Sequence, residues 1–593
     1  MKLMATVSLT GLVALVASTG PFSAQTVEEH PLAFDPTSYT ALRITVDDVP
    51  MEVRRYHVVY VSKPVKMAAL QPRGPMGGPP PAGVLPPSGG RPIGAPTPDN
   101  LAPLNGGPAG TGELAPFRDP YAYQSMYIYV PQSAYNNAKA AIILQVNNAG
   151  WMTSPAAERV TEGGRFVSTS DTDNTGAALK AGYVVVNAGT RSRNARGLDN
   201  SWPGKAPAVV VDAKAAVRYL RYNDAVMPGS AERILITGTS GGGGLSVAVA
   251  ASGNSPDYYS YLAEIGAAGV DATGRSTIRD DIFGVVAYCP ISDLGHADAA
   301  YEWQYGAIRT SQNTPRQYAA DIQQASATLA ASYASYLDSL QLKREDGSLL
   351  STANMQDAIV AQVRKGVEDG IARGEKVQAK GEDIALTTRG NTRLIKNDWL
   401  TVENGEVNDI DYSNFLKFVA TGTTLKGAPS FDSSANTGNK GVSGENTLFG
   451  STRVPYSNFT EFGWNHNDVK GDQSGLDDTG QDWSAYIRGP GAELAKQVKM
   501  VSPIPYLNSP ADSAPYWYVR HGLADRDTSF AAQTTLYYAA RNDPSIKDVN
   551  FRLVWLQGHA GNYDVREAYA WVATVLAKAG DPNATPADSA RGN

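Results

Sequence analysis

The sequence predicts an α/β fold, a mostly parallel sheet with helices on both faces. Three observations predict it. Short apolar runs alternate with helical patterns before residue 290 and again after residue 515. The run at 141–146 is apolar enough to be a strand covered on both faces. The run at 234–236 leads into Gly238-Thr239-Ser240-Gly241-Gly242 and then a small-residue apolar segment, which reads as strand, tight turn and helix.

Taken in order, residues 1–24 read as a secretory signal. Lys2 gives the positive start, residues 12–17 the apolar stretch, and small residues lead to a cut near Ala24. Phe22 fits that cut poorly, which leaves an earlier cut near Gly20 open. A first core part then spans 25–300. Residues 41–46 and 56–61 are rich in β-formers. Residues 71–117 are dominated by Pro and Gly and cannot bury enough apolar surface to fold alone, so they predict a flexible insertion. Strand character returns at 123–130, 141–146 and 184–187. Residues 210–222 show helical spacing, with Arg218 and Arg221 outward. After the turn at Ser240 come a helix and a strand at 283–288.

The rhythm breaks after Pro290. Residues 301–510 hold helical stretches at 319–340 and 355–372 among polar loops rich in Asn, Gly and Asp, which predicts an inserted lid domain. The second core part, 511–580, returns to a strand at 516–520, a helix at 530–540, a strand at 549–556 and a helix at 565–578. Residues 581–593 are a flexible tail. No internal repeat is evident.

Composition narrows the partners. The 593 residues carry a net charge of -7 with no basic stripe, which argues against nucleic acid. No segment beyond the signal is long and apolar enough to span a bilayer. The expected protein is soluble and exported, periplasmic or secreted. Cys289 is the single cysteine, so no intramolecular disulfide can form. No cofactor or metal is expected: there is no His-Glu-x-x-His, no Cys cluster and no complete EF-hand loop. Residues 465–478 are rich in oxygen ligands but read as a solvated loop. The Gly run at 241–244 lacks the Lys-Ser/Thr pair of a phosphate loop.

The turn at Ser240 is where chemistry concentrates. Glycines on both sides leave room for a strained backbone that holds the hydroxyl out of the sheet, near the positive end of the next helix. Such a serine needs a base, and the base an orienting acid. In α/β-hydrolases these follow in the order Ser, Asp, His, each after a later strand. Of six histidines, only His559 lies on a loop just after a late apolar strand. His521 ends the strand at 516–520 and reads as structural. The acid follows that strand: His-Gly-x-x-Asp, a common strand-end pattern in this fold, favours Asp525, with Asp527 the competitor. Either could instead cap the helix beginning near Thr528. The oxyanion donors are Gly241 and one of Gly150 and Trp151, in the loop after 141–146.

The stretch Gly238 to Ser246, followed by Ala251-Ser252-Gly253-Asn254-Ser255-Pro256, resembles the bacterial tannases of subtype B. Further matches follow in order: Gly204-Lys205-Ala206-Pro207, Arg218-Tyr219-Leu220-Arg221, Pro290-Ile291-Ser292-Asp293-Leu294 leading to Tyr301-Glu302-Trp303, and Arg520-His521-Gly522 leading to Asp525-Arg526-Asp527. The resemblance covers most of 120–580. It implies an α/β-hydrolase core with a large inserted lid, no cofactor, and hydrolysis of galloyl esters. It also implies Ser240 as nucleophile, Asp525 as acid and His559 as base. Asp527, Glu445 and Lys426 match the residues that hold the galloyl hydroxyls, with Lys440 second to Lys426. Two departures stand. The 71–117 insertion matches no family feature. Fungal-type tannases and related feruloyl esterases carry a disulfide beside the serine and histidine, where this chain has Thr239 and Ala560.

The sequence thus predicts an exported serine esterase acting on galloyl esters, with a small phenolic ester as its partner. Feruloyl or other aromatic and short acyl esters are the alternative substrates. A prolyl-peptidase-like enzyme lacks support, because no propeller-type repeats are present. A non-catalytic binding protein on the same scaffold is the alternative of another class.

Overall fold

The structure, a computed structural model, describes residues 30–69, 117–314, 320–388, 391–433, 442–467, 469–472, 474–559 and 561–580. The expected signal, nearly all of the Pro/Gly-rich insertion, Lys440, Ala560 and the tail lie outside the described residues.

The strands are β1 (Thr40–Val46), β2 (Val49–Val59), β3 (Ser125–Pro131), β4 (Ile142–Gln145), β5 (Arg165–Phe166), β6 (Val184–Ala188), β7 (Ile234–Thr239), β8 (Gly284–Tyr288), β9 (Asp383–Thr388), β10 (Asn391–Lys396), β11 (Leu400–Glu403), β12 (Glu406–Ile410), β13 (Tyr516–Gly522) and β14 (Asp548–Val554). The helices are α1 (Asn174–Lys180), α2 (Ala208–Tyr222), α3 (Gly241–Ala251), α4 (Tyr259–Glu264), α5 (Leu294–Tyr305), α6 (Ala320–Ser339), α7 (Met355–Ala372), α8 (Tyr412–Gly422), α9 (Glu461–Asn465), α10 (Leu476–Thr479), α11 (Trp483–Ile487), α12 (Ala492–Met500), α13 (Phe530–Asn542) and α14 (Val565–Gly580).

Ten strands form one sheet in the order β14-β13-β8-β7-β4-β6-β3-β2-β1-β5. From β14 to β6 every neighbour is parallel. β3, β2 and β1 then add antiparallel. The central strands are buried along their whole length, β4, β6 and β8 included. Strand alternation divides their side chains between two cores. Ile142, Leu144, Val184 and Val186 join one hydrophobic cluster, while Ile143 and Val185 join the other. Because β7 lies between β8 and β4, the turn after it opens at the centre of the sheet's C-terminal edge. In open α/β sheets this is where ligands bind.

The segment between β8 and β13 is a long insertion, and its first half packs on the core. The Tyr333 hydroxyl of α6 hydrogen-bonds Thr535 Oγ1 of α13 at 2.9 Å. Gly366 of α7 lies so close to the Leu553 carbonyl of β14 that a Cβ would fall 2.1 Å from it. Trp399 and Trp555 rings lie 6.1 Å apart. Two hairpins, β9–β10 and β11–β12, form where the sequence predicts polar loops. The second turns at Asn404-Gly405, both at positive φ, the residues a tight two-residue hairpin favours.

Helix α2 corrects one expectation. Arg218, read as outward, is fully buried, and Arg221 is mostly covered. Residues 252–281 fold back over this helix and bring an acid with them. Asp280 accepts from Arg218 Nη1 and Lys214 Nζ, both at 2.8 Å. Arg218 Nε donates to the Ala268 carbonyl. Arg221 pairs with Glu232 and Asp281. Asp280→Asn would leave two buried cations without their carboxylate, at a cost of about 3–5 kcal/mol. The expected result is a clearly lower urea midpoint than wild type. An unchanged midpoint would contradict the role given to Asp280.

Candidate active site

Strand β7 ends at Thr239 and α3 begins at Gly241, so Ser240 alone makes the turn. Its backbone sits at φ 60°, ψ -122°. That conformation is costly for a residue with a side chain and persists only where the surroundings fix it. Here the Ser240 N–H donates to the Tyr288 carbonyl at 2.9 Å, and its carbonyl accepts from Gly244 and Ile291. The flanking glycines are required by space. A Cβ on Gly238 would fall 2.4 Å from the Gly242 carbonyl oxygen, and one on Gly241 2.2 Å from the Trp151 nitrogen.

His559 and Asp525 reach this serine from the next strands along the sheet. His559 follows β14, and its Nε2 lies 2.8 Å from Ser240 Oγ. Its Nδ1 lies 2.8 Å from Asp525 Oδ2, beyond the end of β13. An ionised carboxylate only accepts, so Nδ1 carries the proton and Nε2 offers its lone pair to the serine hydroxyl. Asp525 is fully buried, and its other oxygen accepts from the Asp527 N–H at 2.8 Å. The competitor Asp527 stands on the serine side of the ring, Oδ2 3.8 Å from His559 Nε2, and is ion-paired with Arg526. Neither aspartate caps α13; the Ser529 side chain does. His521 is the last but one residue of β13 and is fully buried, as its structural reading expects.

Charge tunes the pair. Burial lowers the His559 pKa, but the Asp525 carboxylate, then that of Asp527, outweigh it and hold the imidazole well above its ordinary value. Burial raises Asp525, and His559 followed by His521 brings it below the usual carboxylate range.

The loop after β4 closes one side. The Trp151 indole donates to the Ile291 carbonyl, which fixes the loop against the segment after β8. Gly150 and Trp151 both have positive φ. The Trp151 N–H is already donated to the Asn148 carbonyl at 2.8 Å. Gly241, as the first residue of α3, presents an N–H with no partner within its own helix.

The expected ring-binding residues are placed on the insertion. Lys426 holds its ammonium 3.9 Å over the Phe431 ring. The Lys426 and Glu445 segments are stitched together: Ser443 Oγ donates to the Phe431 carbonyl, and Asn446 Nδ2 to Asp432 Oδ1 at 2.6 Å. Glu445 opens a short turn and is half-buried. Its neighbour Gly444 lies against the Arg193 guanidinium, which also faces Gly150. Lys205, buried so that its pKa falls to about 7, ties this segment to the core through the Arg193, Thr447 and Pro455 carbonyls. Thus Ser240, His559, Asp525, Asp527, Gly241, Gly150 and Trp151 converge directly. Beyond them, Gly444 next to Glu445 faces Arg193, and Lys426 lies over Phe431.

Three neighbours escaped the sequence reading. Arg193 sits between the Gly150 loop and the insertion. Thr239 Oγ1 donates to Asn562 Oδ1 at 2.9 Å, so a hydrogen bond joins the serine and histidine loops. Cys289 lies buried beside the imidazole.

Known proteins resemble this chain in sequence and fold. A protein-family model described as BD-FAE matches residues 126–339. No curated protein matches the chain. Among solved structures, the tannase of Fusobacterium nucleatum is 27% identical, with a TM-score of 0.65, and the match covers 92% of this chain and 100% of that one. Native tannin acyl hydrolase from Lactobacillus plantarum is 27% identical, with a TM-score of 0.66 over 92% of this chain and 99% of that one. A tannin acyl hydrolase in complex with ethyl gallate is 27% identical, with a TM-score of 0.65 and the same coverage. The chain is an α/β-hydrolase and a carboxylic ester hydrolase. Over nearly its whole length it is similar to the bacterial tannases.

The carboxylate balance around His559 gives a pH prediction. Hydrolysis needs the imidazole neutral, so activity falls as pH drops through its raised pKa. The acid limb of kcat/KM should therefore lie above about pH 6.5. Asp527→Asn removes one of the two carboxylates that raise it, and the limb should move to lower pH. An ester without ring hydroxyls, such as p-nitrophenyl acetate, separates this effect from substrate binding. A limb that stays in place in the variant would contradict the electrostatic account.

Proposed function

We propose that this protein is an exported serine esterase that hydrolyses galloyl esters through an acyl-enzyme and releases gallate. The observation that carries the reading is the unbroken relay from Asp525 through His559 to Ser240, with both links at 2.8 Å. Ser240 Oγ attacks the ester carbonyl while His559 Nε2 takes its proton. Asp525 keeps the ring in the required tautomer and stabilises the imidazolium. The developing oxyanion is met by the Gly241 N–H and, from the loop after β4, by the Gly150 N–H, since that of Trp151 is already used within its turn. His559 then protonates the departing alcohol. Water, deprotonated by the same nitrogen, releases gallate from Ser240.

The substrate side is proposed to lie under the insertion, which acts as a lid. The three phenolic hydroxyls offer donors to the Asp527 and Glu445 carboxylates and acceptors to the Lys426 ammonium. Such a site rejects an analogue lacking a hydroxyl, because its own polar groups are then left unpaired. Support for the galloyl class comes from the solved relative holding ethyl gallate and from Asp527 beside the imidazole. Export rests on the Lys2-led apolar start of the chain. Among the described residues no helix is long and apolar enough to cross a membrane.

Ser240→Ala should abolish methyl gallate hydrolysis, and a fluorophosphonate probe should label wild type at Ser240 only. Wild type should prefer methyl gallate to methyl ferulate by at least about tenfold in kcat/KM. Full activity in Ser240→Ala would overturn the mechanism. Equal or better use of methyl ferulate would overturn the galloyl assignment and move the substrate to the feruloyl class.

A further inference from the structure

Behind the imidazole lies a group of side chains that the ester reaction does not use. Cys289 follows β8, wedged between the serine strand and the aspartate strand, with φ 45° and its N–H donated to the Arg520 carbonyl. The thiol is buried, 3.3 Å from the Tyr563 hydroxyl. One donor atom each from Cys289, Asp525 and His559 lie within 4.8 Å of one another. A further imidazole stands beside this group. His521 is fully buried, and its Nδ1 lies 3.4 Å from Asp525 Oδ2, the oxygen that His559 Nδ1 also approaches. Neither His521 ring nitrogen has a hydrogen bond of good geometry. A buried imidazole left in that state is an unusual expense in a hydrophobic interior.

We propose that a thiophilic divalent cation, Zn²⁺ or Cd²⁺, binds reversibly behind the triad, held by Cys289 Sγ, the Asp525 carboxylate and His559 Nδ1 with His521 beside the carboxylate, and switches the esterase off. One thiolate, one imidazole and one carboxylate, with water in the fourth position, form a donor set that these ions favour and that Mg²⁺ and Ca²⁺ do not. Tetrahedral bonds of about 2.0–2.3 Å set the donors roughly 3.3–3.6 Å apart. The His559 Nδ1–Asp525 Oδ2 pair, 2.8 Å apart, therefore opens by about 0.5 Å, and a separation as wide as 4.8 Å closes by about 1 Å. On binding, the thiol proton and the proton between His559 Nδ1 and Asp525 leave to solvent, and no oxidation state changes. The cation then stands where that proton stood. The ring can no longer gain a proton at Nε2 with Asp525 to stabilise it, so Ser240 loses its base. The substrate face of the imidazole stays open, so the block falls on kcat and leaves KM unchanged.

The site can be tested without turnover. Ser240→Ala retains all three donors and His521. Titrated with Cd²⁺, it should develop thiolate-to-metal absorbance in the ultraviolet that saturates at one equivalent. Adding Cys289→Ala should remove that absorbance. Adding His521→Gln instead should keep it and weaken binding about tenfold or more. In wild type, Cd²⁺ should lower kcat for methyl gallate at constant KM, Mg²⁺ should do nothing, and a chelator should restore the rate. No thiolate absorbance in Ser240→Ala would overturn the proposal. So would Cd²⁺ inhibition that persists at the same concentration in Cys289→Ala or His521→Gln. Because the absorbance titration needs no substrate, it judges the site even if methyl gallate is not the substrate.

Discussion

Ser240 is held at φ 60° by backbone contacts from both sides, and every other part of the site is positioned against that turn. The Tyr288 carbonyl at the end of β8 grips its N–H, and the Ile291 N–H grips its carbonyl. These bonds exist because β7 and β8 run parallel in register, with Thr239 opposite Tyr288. The same register lets β13 and β14 end at one level, so that Asp525 and His559 leave the sheet beside the serine. A slip of one residue in any of these strands would invert their side-chain faces and break the relay. The strain at the turn is thus sustained by the whole parallel sheet and the two hydrophobic layers that cover it.

The electrostatic arrangement depends on burial. Asp525 is out of contact with water and keeps its charge because imidazoles stand on both sides of it. His559 in turn is surrounded by carboxylates, one behind it and one in front. Asp525 behind it orients the ring, while Asp527 in front stands where substrate would enter. Both carboxylates raise the pKa of the imidazole, and both come from the loop after β13. Cys289 and His521 complete the buried ring of polar groups.

Much of this was legible in the sequence. Parallel strands covered on both faces are short and apolar throughout, so β4, β6, β7 and β8 announce themselves. The serine turn is marked by its glycines, and Asp525 and His559 by their place just after late strands. What was not legible has physical reasons. Arg218 follows a helical period that points it away from the sheet, but periodicity says nothing of residues 252–281 folding over that face with Asp280. The β11–β12 hairpin carries its signal in Asn404-Gly405, but the polar residues around it mask the alternation of its strands. Arg193, Asn562 and Cys289 reach the site from positions remote in sequence, and only the three-dimensional packing brings them there.

The central claim is that Ser240 carries the acyl group between the two halves of the reaction. The most direct measurement is mass spectrometry of enzyme quenched during turnover of methyl gallate. A galloyl mass added to the peptide that contains Ser240, lost again as turnover ends, is the predicted result. Hydrolysis that proceeds at full rate with the acyl group found on another residue would contradict the account.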